Sequence, residues 1–473
     1  MKRELNTVDL FCGAGGASTG MEEALARLKL SHRGLAINHW SVAVDTMRVN
    51  HPKIDTKRMA IEEAVPADLV PGGEVDLLWA SPSCTHHSRA KGGKPRSNQL
   101  RAQPELVLTW LDQLFVRRMI IENVPEFTEW GPLTRDGRPI ERLKGSCFRS
   151  WVAAIEARNY TVEWRILNCA DYGDATTRRR FFLQAVRNGC GKIVWPEPEY
   201  AENPKTDLWG HTPKRWRGIR ECLDFSNLGR SIFEPGRNLA MNTLRRVDVG
   251  MRKFNGMSFL MDMLGADGDD ESRVRPLSKP MPTQHAGGNR CAVVRPFIVT
   301  NQTNNAPRSI DRPIRAQTTV GKDYLCTPLV LGQQGGAQCQ PIDKPCPTIA
   351  TAGAIRLSTP LIIDMSRPGG NDSGHIHSAD EPIQTITSCD AMQLAVPIVL
   401  EGADLSHLPR LPDGRYLDIR LRMLKPLELA AAHSFPKDYK LTGNRTEQVK
   451  QIGNSVPVMT AAAICEAALR GAA

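Results

Sequence analysis

Cys84 stands in a run of small and polar residues, Ser81-Pro82-Ser83-Cys84-Thr85-His86-His87, directly after an apolar stretch at 75–80. A thiol in a loop above a buried strand is a candidate nucleophile, because the reactive form is the thiolate and a loop leaves it reachable. An inert thiol, or a metal ligand shared with His86 or His87, are the alternatives. Glu122, in Ile121-Glu122-Asn123-Val124-Pro125, follows a second apolar run. Its carboxyl can act as a general acid or merely cap the next helix. Arg178 and Arg180 precede a third run, 181–186. Alternate residues of an extended segment share a face, so two guanidinium groups can address one ligand; a solvated basic turn is the alternative. Near the start, Asp9-Leu10-Phe11-Cys12-Gly13-Ala14-Gly15-Gly16 places glycines between an apolar run and a helical stretch. Such a turn lets a ligand approach the backbone closely. A nicotinamide-dependent oxidoreductase would use a similar loop. The ribose-binding acid it needs after the second strand is absent from Asn38-His39-Trp40.

These groups need a scaffold that brings them to one place. Short apolar runs at 7–11, 35–37, 75–80, 119–122 and 181–186 read as strands. They alternate with helical stretches through Leu28 and over 106–115. That alternation predicts a doubly wound α/β sheet, in which ligands bind at the carboxyl ends of the strands. The chemistry-bearing residues nearly all fall just after, or beside, a predicted strand. Helical texture returns at 424–432 and in a closing helix at 458–469, with Gln451-Ile452-Gly453-Asn454-Ser455-Val456-Pro457 read as a loop opening it.

Between these ends the texture changes. Pro280, Pro313, Pro345 and Pro382 begin four units, each reaching a second proline (Pro296, Pro328, Pro360, Pro397) and a β-like run. The sequence therefore predicts a catalytic domain from 1–195, a β-rich insert from 196–420, and a segment from 421–473 that completes the catalytic domain.

The chain has 473 residues, with 41% hydrophobic and 24% charged, enough to bury a large core without staples. No run approaches the roughly 20 apolar residues of a bilayer span, and the first eight residues carry no apolar signal region. Secreted and membrane-spanning classes are set aside. Twelve cysteines at irregular spacing, with no Cys-x-x-Cys pair, suit free thiols in a reducing cytoplasm rather than a zinc site. The formal charge of +10, with ten basic against four acidic residues between Lys214 and Lys253, favours a polyanionic partner.

Taken in order, the motifs resemble the DNA (cytosine-5) methyltransferase family in its phage and bacterial form. The pattern is Asp9-Leu10-Phe11-x-Gly13-x-Gly15-Gly16, Pro82-x-Cys84, Glu122-Asn123-Val124, Arg178-x-Arg180, then a long insert. Arg422-Met423-Leu424-Lys425-Pro426-Leu427-Glu428, Phe435-Pro436 and Gly453-Asn454-Ser455-Val456-Pro457 follow. The resemblance covers about 1–190 and 420–473. It implies a Rossmann-like S-adenosylmethionine-dependent methyltransferase domain with a large β-rich inserted recognition domain.

On that resemblance, the Cys84 thiolate adds to C6 of a flipped-out cytosine. Glu122 protonates N3 and holds the exocyclic amine, Arg180 binds O2, and Arg178 orients the loop. S-adenosyl-L-methionine is held by Asp9, Phe11, Cys12, Gly13, Ala14, Gly15 and Gly16, by His39 and Trp40, by Ser81 and Pro82, and by Asn454, Ser455 and Val456. No metal is implied. The partner implied is double-stranded DNA, bound by a monomer in the cytoplasm, and there associated with the nucleoid through its DNA. RNA cytosine-5 methylation and a catalytically silent DNA-binding homologue are the rival expectations. The sequence departs from the family at His39, where an acid is usual, at Ala60-Ile61, at Thr85, and at Gly173-Asp174-Ala175-Thr176.

Overall fold

The computed structural model describes residues 4–82, 103–224 and 419–471, parts of 226–239, and the backbone of short strands between 259 and 418. Cys84, His86 and His87 lie outside the described residues, as does most of the proline repeat. The chain divides into two compact units, Met1–Trp216 with Ala430–Ala473, and Arg217–Leu429.

The first unit contains β1 (Leu5–Leu10), α1 (Gly16–Leu28), β2 (His32–Asn38), α2 (Ser41–Asn50), β3 (Ile54–Arg58) and β4 (Leu77–Ala80). Then come α3 (Gln103–Gln113), β5 (Arg118–Asn123), α4 (Ser146–Glu156), β6 (Tyr160–Asn168) and β7 (Arg179–Arg187). The chain's far end adds α5 (Arg445–Asn454) and α6 (Val458–Arg470). Seven strands form one sheet in the order β3-β2-β1-β4-β5-β7-β6. The first five are parallel, and β7 runs against both its neighbours. The chain winds outward from β1 to β3 and then crosses to β4 on the other side. The strand order thus reverses between β1 and β4, which opens a crevice at their carboxyl ends. The glycine turn after β1 and Ser81-Pro82 after β4 stand there.

Period-two alternation splits the strands between two cores. Val8, Leu10, Leu78, Ala80, Met119 and Ile121 face a cluster with Trp110, Phe127, Phe148 and Trp151 from one helical layer. Leu77, Trp79, Ile120 and Phe182 face α1 and α6 on the other side. Asp9 and Glu122 share the register of this second set, so their carboxylates are on the face that the chain's far end covers.

The predicted inner strands all form. The stretch 75–80 breaks at Asp76, whose carboxylate accepts from Asn6 N at 2.9 Å; its first part becomes a separate two-residue strand, Glu74–Val75. That strand pairs with Phe115–Val116, so the expected helix ends at Gln113. Gln451 to Asn454 form the last turn of α5, not a loop, and the non-helical link before α6 is residues 455–457. The helix pair Arg445–Arg470 is the one described stretch apolar and long enough for a bilayer span, but 78% of its apolar window is buried within the protein.

The second unit carries an eight-stranded sheet. In it Met392–Leu400 pairs antiparallel with Tyr416–Met423 over eight residues, from Gln393 opposite Met423 to Leu400 opposite Tyr416. The runs expected at 329–331, 361–363 and 398–400 are strands. Arg422 and Glu428 form a buried ion pair at 2.7 Å. Asp224 N donates to Glu428 Oε1 at 2.7 Å, and Lys425 Nζ reaches Asp224 Oδ2 at 2.5 Å. This knot joins the unit's first and last segments.

Candidate active site

β1 ends at Leu10, and Phe11 turns into the left-handed region at φ 63. A bulky residue there is strained by about 1–2 kcal/mol. Gly13 and Gly15 follow at φ 54 and 85. The glycines of this turn serve different ends. A Cβ at Gly15 would meet Met47 Sδ at 2.5 Å and the Tyr439 hydroxyl at 2.6 Å. One at Gly16 would overlap the Val456 carbonyl oxygen and lie 3.1 Å from Val456 N. These two glycines admit the chain's far end. At Gly13 a Cβ would meet nothing nearer than Phe11 O at 3.9 Å, so open space lies beside it.

A buried polar network supports the turn from below. Ser18 Oγ donates to Asp9 Oδ2 at 2.5 Å. The Asp9 Oδ1 atom has no partner among the described residues. Burial pushes the Asp9 carboxyl up to about 7, against the opposing hydrogen bond from Ser18 and the charge of His51. Tyr439 donates its hydroxyl hydrogen to Ala14 O. The Tyr439 oxygen lies 3.1 Å from His51 Nε2, and His51 Nδ1 is 2.7 Å from Glu22 Oε2. Burial would raise the Glu22 carboxyl, but its bonds to His32 and His51 prevail and lower it to about 2. Cys12 is buried, and burial raises its thiol well above its ordinary range.

The second part of the site is at the carboxyl end of β5. Arg180 Nε lies 3.1 Å from Glu122 Oε1, and both side chains are under 10% exposed. Register explains the pairing: Glu122 is opposite Phe182 and Arg180 is two residues before it on the same face. Glu122 therefore does not cap a helix. Asn123 Nδ2 donates to Pro82 O at 3.1 Å, tying this strand end to the start of the Cys84 loop. Trp79 Nε1 donates to Ser81 Oγ at 2.9 Å in the same loop.

Arg178 and Arg180 are both buried, so the solvated-turn reading fails. Their partners differ, however. Arg178 Nη1 donates to Gly453 O at 3.0 Å, at the carboxyl end of α5. Arg178 precedes β7, so the strand alternation rule does not govern it. His39 is exposed beyond β2. The Lys450 ammonium sits 4.7 Å above the half-buried Trp40 ring. Asn454 is exposed at the end of α5, whereas Ser455 and Val456 are buried. The Ser455 hydroxyl donates to Ile452 O at 2.7 Å and lies 3.0 Å from His433 Nδ1.

The C-5 cytosine-specific DNA methylase model matches residues 5–221 and 382–470. The chain belongs to that family. Among curated relatives, the type II methyltransferase M.AgeI of Thalassovita gelatinovora is 27% identical over 211 residues, 43% of this chain and 44% of that protein. DNA (cytosine-5)-methyltransferase 1A of Oryza sativa subsp. japonica is 26% identical over 235 residues, 41% of this chain and 14% of that protein. The type II methyltransferase M.AquIA of Picosynechococcus is 25% identical over 232 residues, 46% of this chain and 88% of that protein. The chain thus spans less than half the length of the first two.

The site also uses residues that the motifs do not single out. Asp174, a departure from the family pattern, accepts from Thr460 N at 3.0 Å, Thr460 Oγ1 at 2.6 Å and Met459 N at 3.3 Å. It caps α6, whose own N-cap, Pro457, has no side-chain bond to offer. Burial pushes its carboxyl up to about 6. Asp174 thereby pins the arginine-bearing turn to the closing helix. Asp174→Ala is expected to cost about 2–4 kcal/mol, since it strands buried donors at a helix start. The melting temperature should drop by about 5–10 °C; a melt unchanged within 1–2 °C would show that α6 needs no cap from this turn. Nothing in the spacing of His51, Tyr439 or Glu22 marks them, and Tyr439 joins the other two only when the chain ends pack together.

Proposed function

We propose that this protein transfers a methyl group from S-adenosyl-L-methionine to C5 of a cytosine flipped out of double-stranded DNA, through a covalent bond between Cys84 and C6. The observation that carries this reading is the buried Glu122–Arg180 pair. It stands at the end of the sheet where Asn123 holds Pro82, two residues before Cys84 in sequence.

The residues present fit the cofactor. Asp9 offers a buried acceptor without a partner among the described residues, and Gly13 leaves room where a Cβ would intrude. Asp9, Phe11, Gly13, His39, Trp40, Ser81, Pro82 and Asn454 would line its seat. Cys12, Ala14, Gly15, Gly16, Ser455 and Val456 would shape that seat from behind. When bound, S-adenosyl-L-methionine supplies an electrophilic methyl group.

The work of this chain is to make C5 nucleophilic. Cytosine C5 is a weak nucleophile while the ring is aromatic. The Cys84 thiolate forms a bond to C6, and the ring electrons move toward N3 and C5. Glu122 donates a proton or a strong hydrogen bond at N3, which lowers the cost of that charge. Arg180 donates to O2 and keeps Glu122 in place through its Nε. After C5 is substituted, its proton passes to water, the electrons return to the ring, the Cys84 sulfur leaves as thiolate and N3 gives its proton back to Glu122. Arg178 acts on position, by fixing the turn to α5.

The unit Arg217–Leu429 serves as the target-recognition domain, its basic residues holding phosphates and its strands presenting base-reading side chains. The protein acts as a monomer in the cytoplasm of a bacterial or phage-infected cell, located at the nucleoid by its DNA.

Duplex DNA carrying 5-fluorocytosine at target positions tests the covalent route, because fluorine at C5 cannot leave as a proton does. The protein should become cross-linked to that DNA only when the cofactor is present, and Cys84→Ser should abolish the cross-link. Normal turnover on cytosine without trapping on the fluorinated base would overturn the adduct. Preference for transfer RNA over duplex DNA would overturn the substrate.

A further inference from the structure

Residues 202–213 form a closed loop whose ends meet where Tyr200–Ala201 pairs with Lys214–Arg215. Compact loops with paired ends are frequently functional. Its tip is ordered by one side chain. Asp207 Oδ1 accepts from Trp209 N at 2.8 Å and from His211 N at 2.9 Å, while Asp207 N donates to His211 O at 2.9 Å. Gly210 supplies the left-handed turn at φ 79. Thr206 and Thr212 hydroxyls bridge the neck at 2.7 Å.

This organised turn presents two apolar residues wholly to water. Leu208 is 100% exposed and Trp209 is 92% exposed. The chain has nine tryptophans, and the next most exposed, Trp164, is at 45%. Apolar side chains held out on a hydrogen-bonded tip gain nothing from folding. The carboxylate at the tip is consumed by the turn, whereas Lys205 within the loop and Arg215 at its root are exposed.

The loop's root is attached to the active-site edge of the first unit. Trp216 Nε1 donates to Asp171 Oδ1 at 2.8 Å, and Glu199 N donates to Asp171 O at 3.1 Å. The Tyr200 ring fills the space a Cβ would take at Gly173, 2.9 Å away. Asp171 and Gly173 belong to the turn that carries Arg178 into β7. Trp209 is eight residues beyond Ala201, so the tip reaches no further than about 29 Å from that root. That distance is within one helical turn of duplex DNA, about 34 Å.

We infer that the Leu208-Trp209 tip is a DNA-contacting wedge, with Trp209 stacking on a base and Leu208 entering the same step, within one helical turn of the target cytosine. An exposed aromatic group on a loop that also carries exposed cations is the chemistry that recognises a base and its phosphates together. The inference rests on the reading of this protein as a DNA methyltransferase and adds a contact outside the methyl-transfer pocket and outside the unit Arg217–Leu429.

The experiment uses the full chain, a fluorescein-labelled duplex and labelled S-adenosylmethionine. Trp209→Ala should weaken duplex binding and raise the KM for DNA by about tenfold, with a smaller change in kcat. Trp209→Phe should restore most of the affinity, since stacking survives. DNA should quench the red-edge tryptophan emission of the wild type but not of Trp209→Ala. The salt dependence of binding should keep its slope in Trp209→Ala, because no phosphate contact is removed, and should become shallower in Arg215→Ala. If the wild type methylates DNA while Trp209→Ala and Leu208→Ala bind it within twofold of wild type, the wedge is overturned and the enzymatic reading stands. If the wild type neither binds duplex nor methylates it, both fall. If Trp209→Ala instead abolishes a concentration-dependent dimer in sedimentation while DNA affinity holds, the tip belongs to a second copy of the chain and the wedge is overturned.

Discussion

Glu122→Gln is expected to slow methyl transfer by two to four powers of ten, the range in which a positioned general acid contributes. The amide matches the carboxyl in shape but cannot deliver a proton to N3, so the addition of sulfur at C6 loses its electron sink. A second consequence follows from burial. Arg180 Nε is 3.1 Å from Glu122 Oε1, and neither side chain is more than 8% exposed. Removing one charge leaves the other buried without its counterion, which costs about 3–5 kcal/mol. Rate and stability should therefore fall together in the single variant. They separate in the double variant Glu122→Gln/Arg180→Gln, which removes both charges: melting should partly recover while the single-turnover rate stays low. Single-turnover incorporation of labelled methyl groups, read beside thermal melting, checks both. A Glu122→Gln rate within threefold of wild type would remove Glu122 from the chemistry.

The residues in this pair also show which parts of a site a sequence can reveal. Inner strands of a doubly wound sheet are buried on both faces, so β1, β4, β5 and β7 stand out as apolar runs. The edge strands β3 and β6 do not. Ile54–Arg58 carries Asp55 and Lys57, and Tyr160–Asn168 is mostly exposed, because an edge facing water is kept polar. The same logic separates the two arginines. Arg180 is inside β7, where alternation directs it at Glu122. Arg178 is one residue outside, so its direction is set by the carbonyl that α5 offers at Gly453. Long-range polar partners were the least legible. Tyr439 and Ala14 are 425 residues apart in sequence, and Asp174 and Thr460 are 286 apart. No local pattern encodes such meetings, although they hold both the glycine turn and the arginine turn in place.

The glycine turn gives a large expected effect on stability and a sharp separation of roles. Gly16→Ala would drive a Cβ into the Val456 carbonyl, with Val456 N and C at 3.1 and 3.2 Å. These are backbone atoms of the link between α5 and α6 and cannot rotate away. The loss should reach about 3 kcal/mol, at the upper end of overpacking costs, and a melting temperature lower by about 6–12 °C. Should Gly16→Ala fail to fold, Gly20→Ala repeats the test more mildly, because its Cβ would meet Ala461 Cβ at 2.6 Å within the α1–α6 contact. Gly13→Ala is the opposite case. Its φ of 54 is a strain of about 1 kcal/mol for alanine, yet no neighbour within 3.9 Å obstructs the new methyl group. The fold should tolerate it with a melting drop of about 2–4 °C, while S-adenosylmethionine affinity by calorimetry falls at least tenfold, since the methyl group occupies the space proposed for the ligand. A Gly13→Ala protein that binds the cofactor as tightly as wild type would move the seat away from this turn. A Gly16→Ala protein that melts like wild type would mean the two chain ends do not meet at Val456.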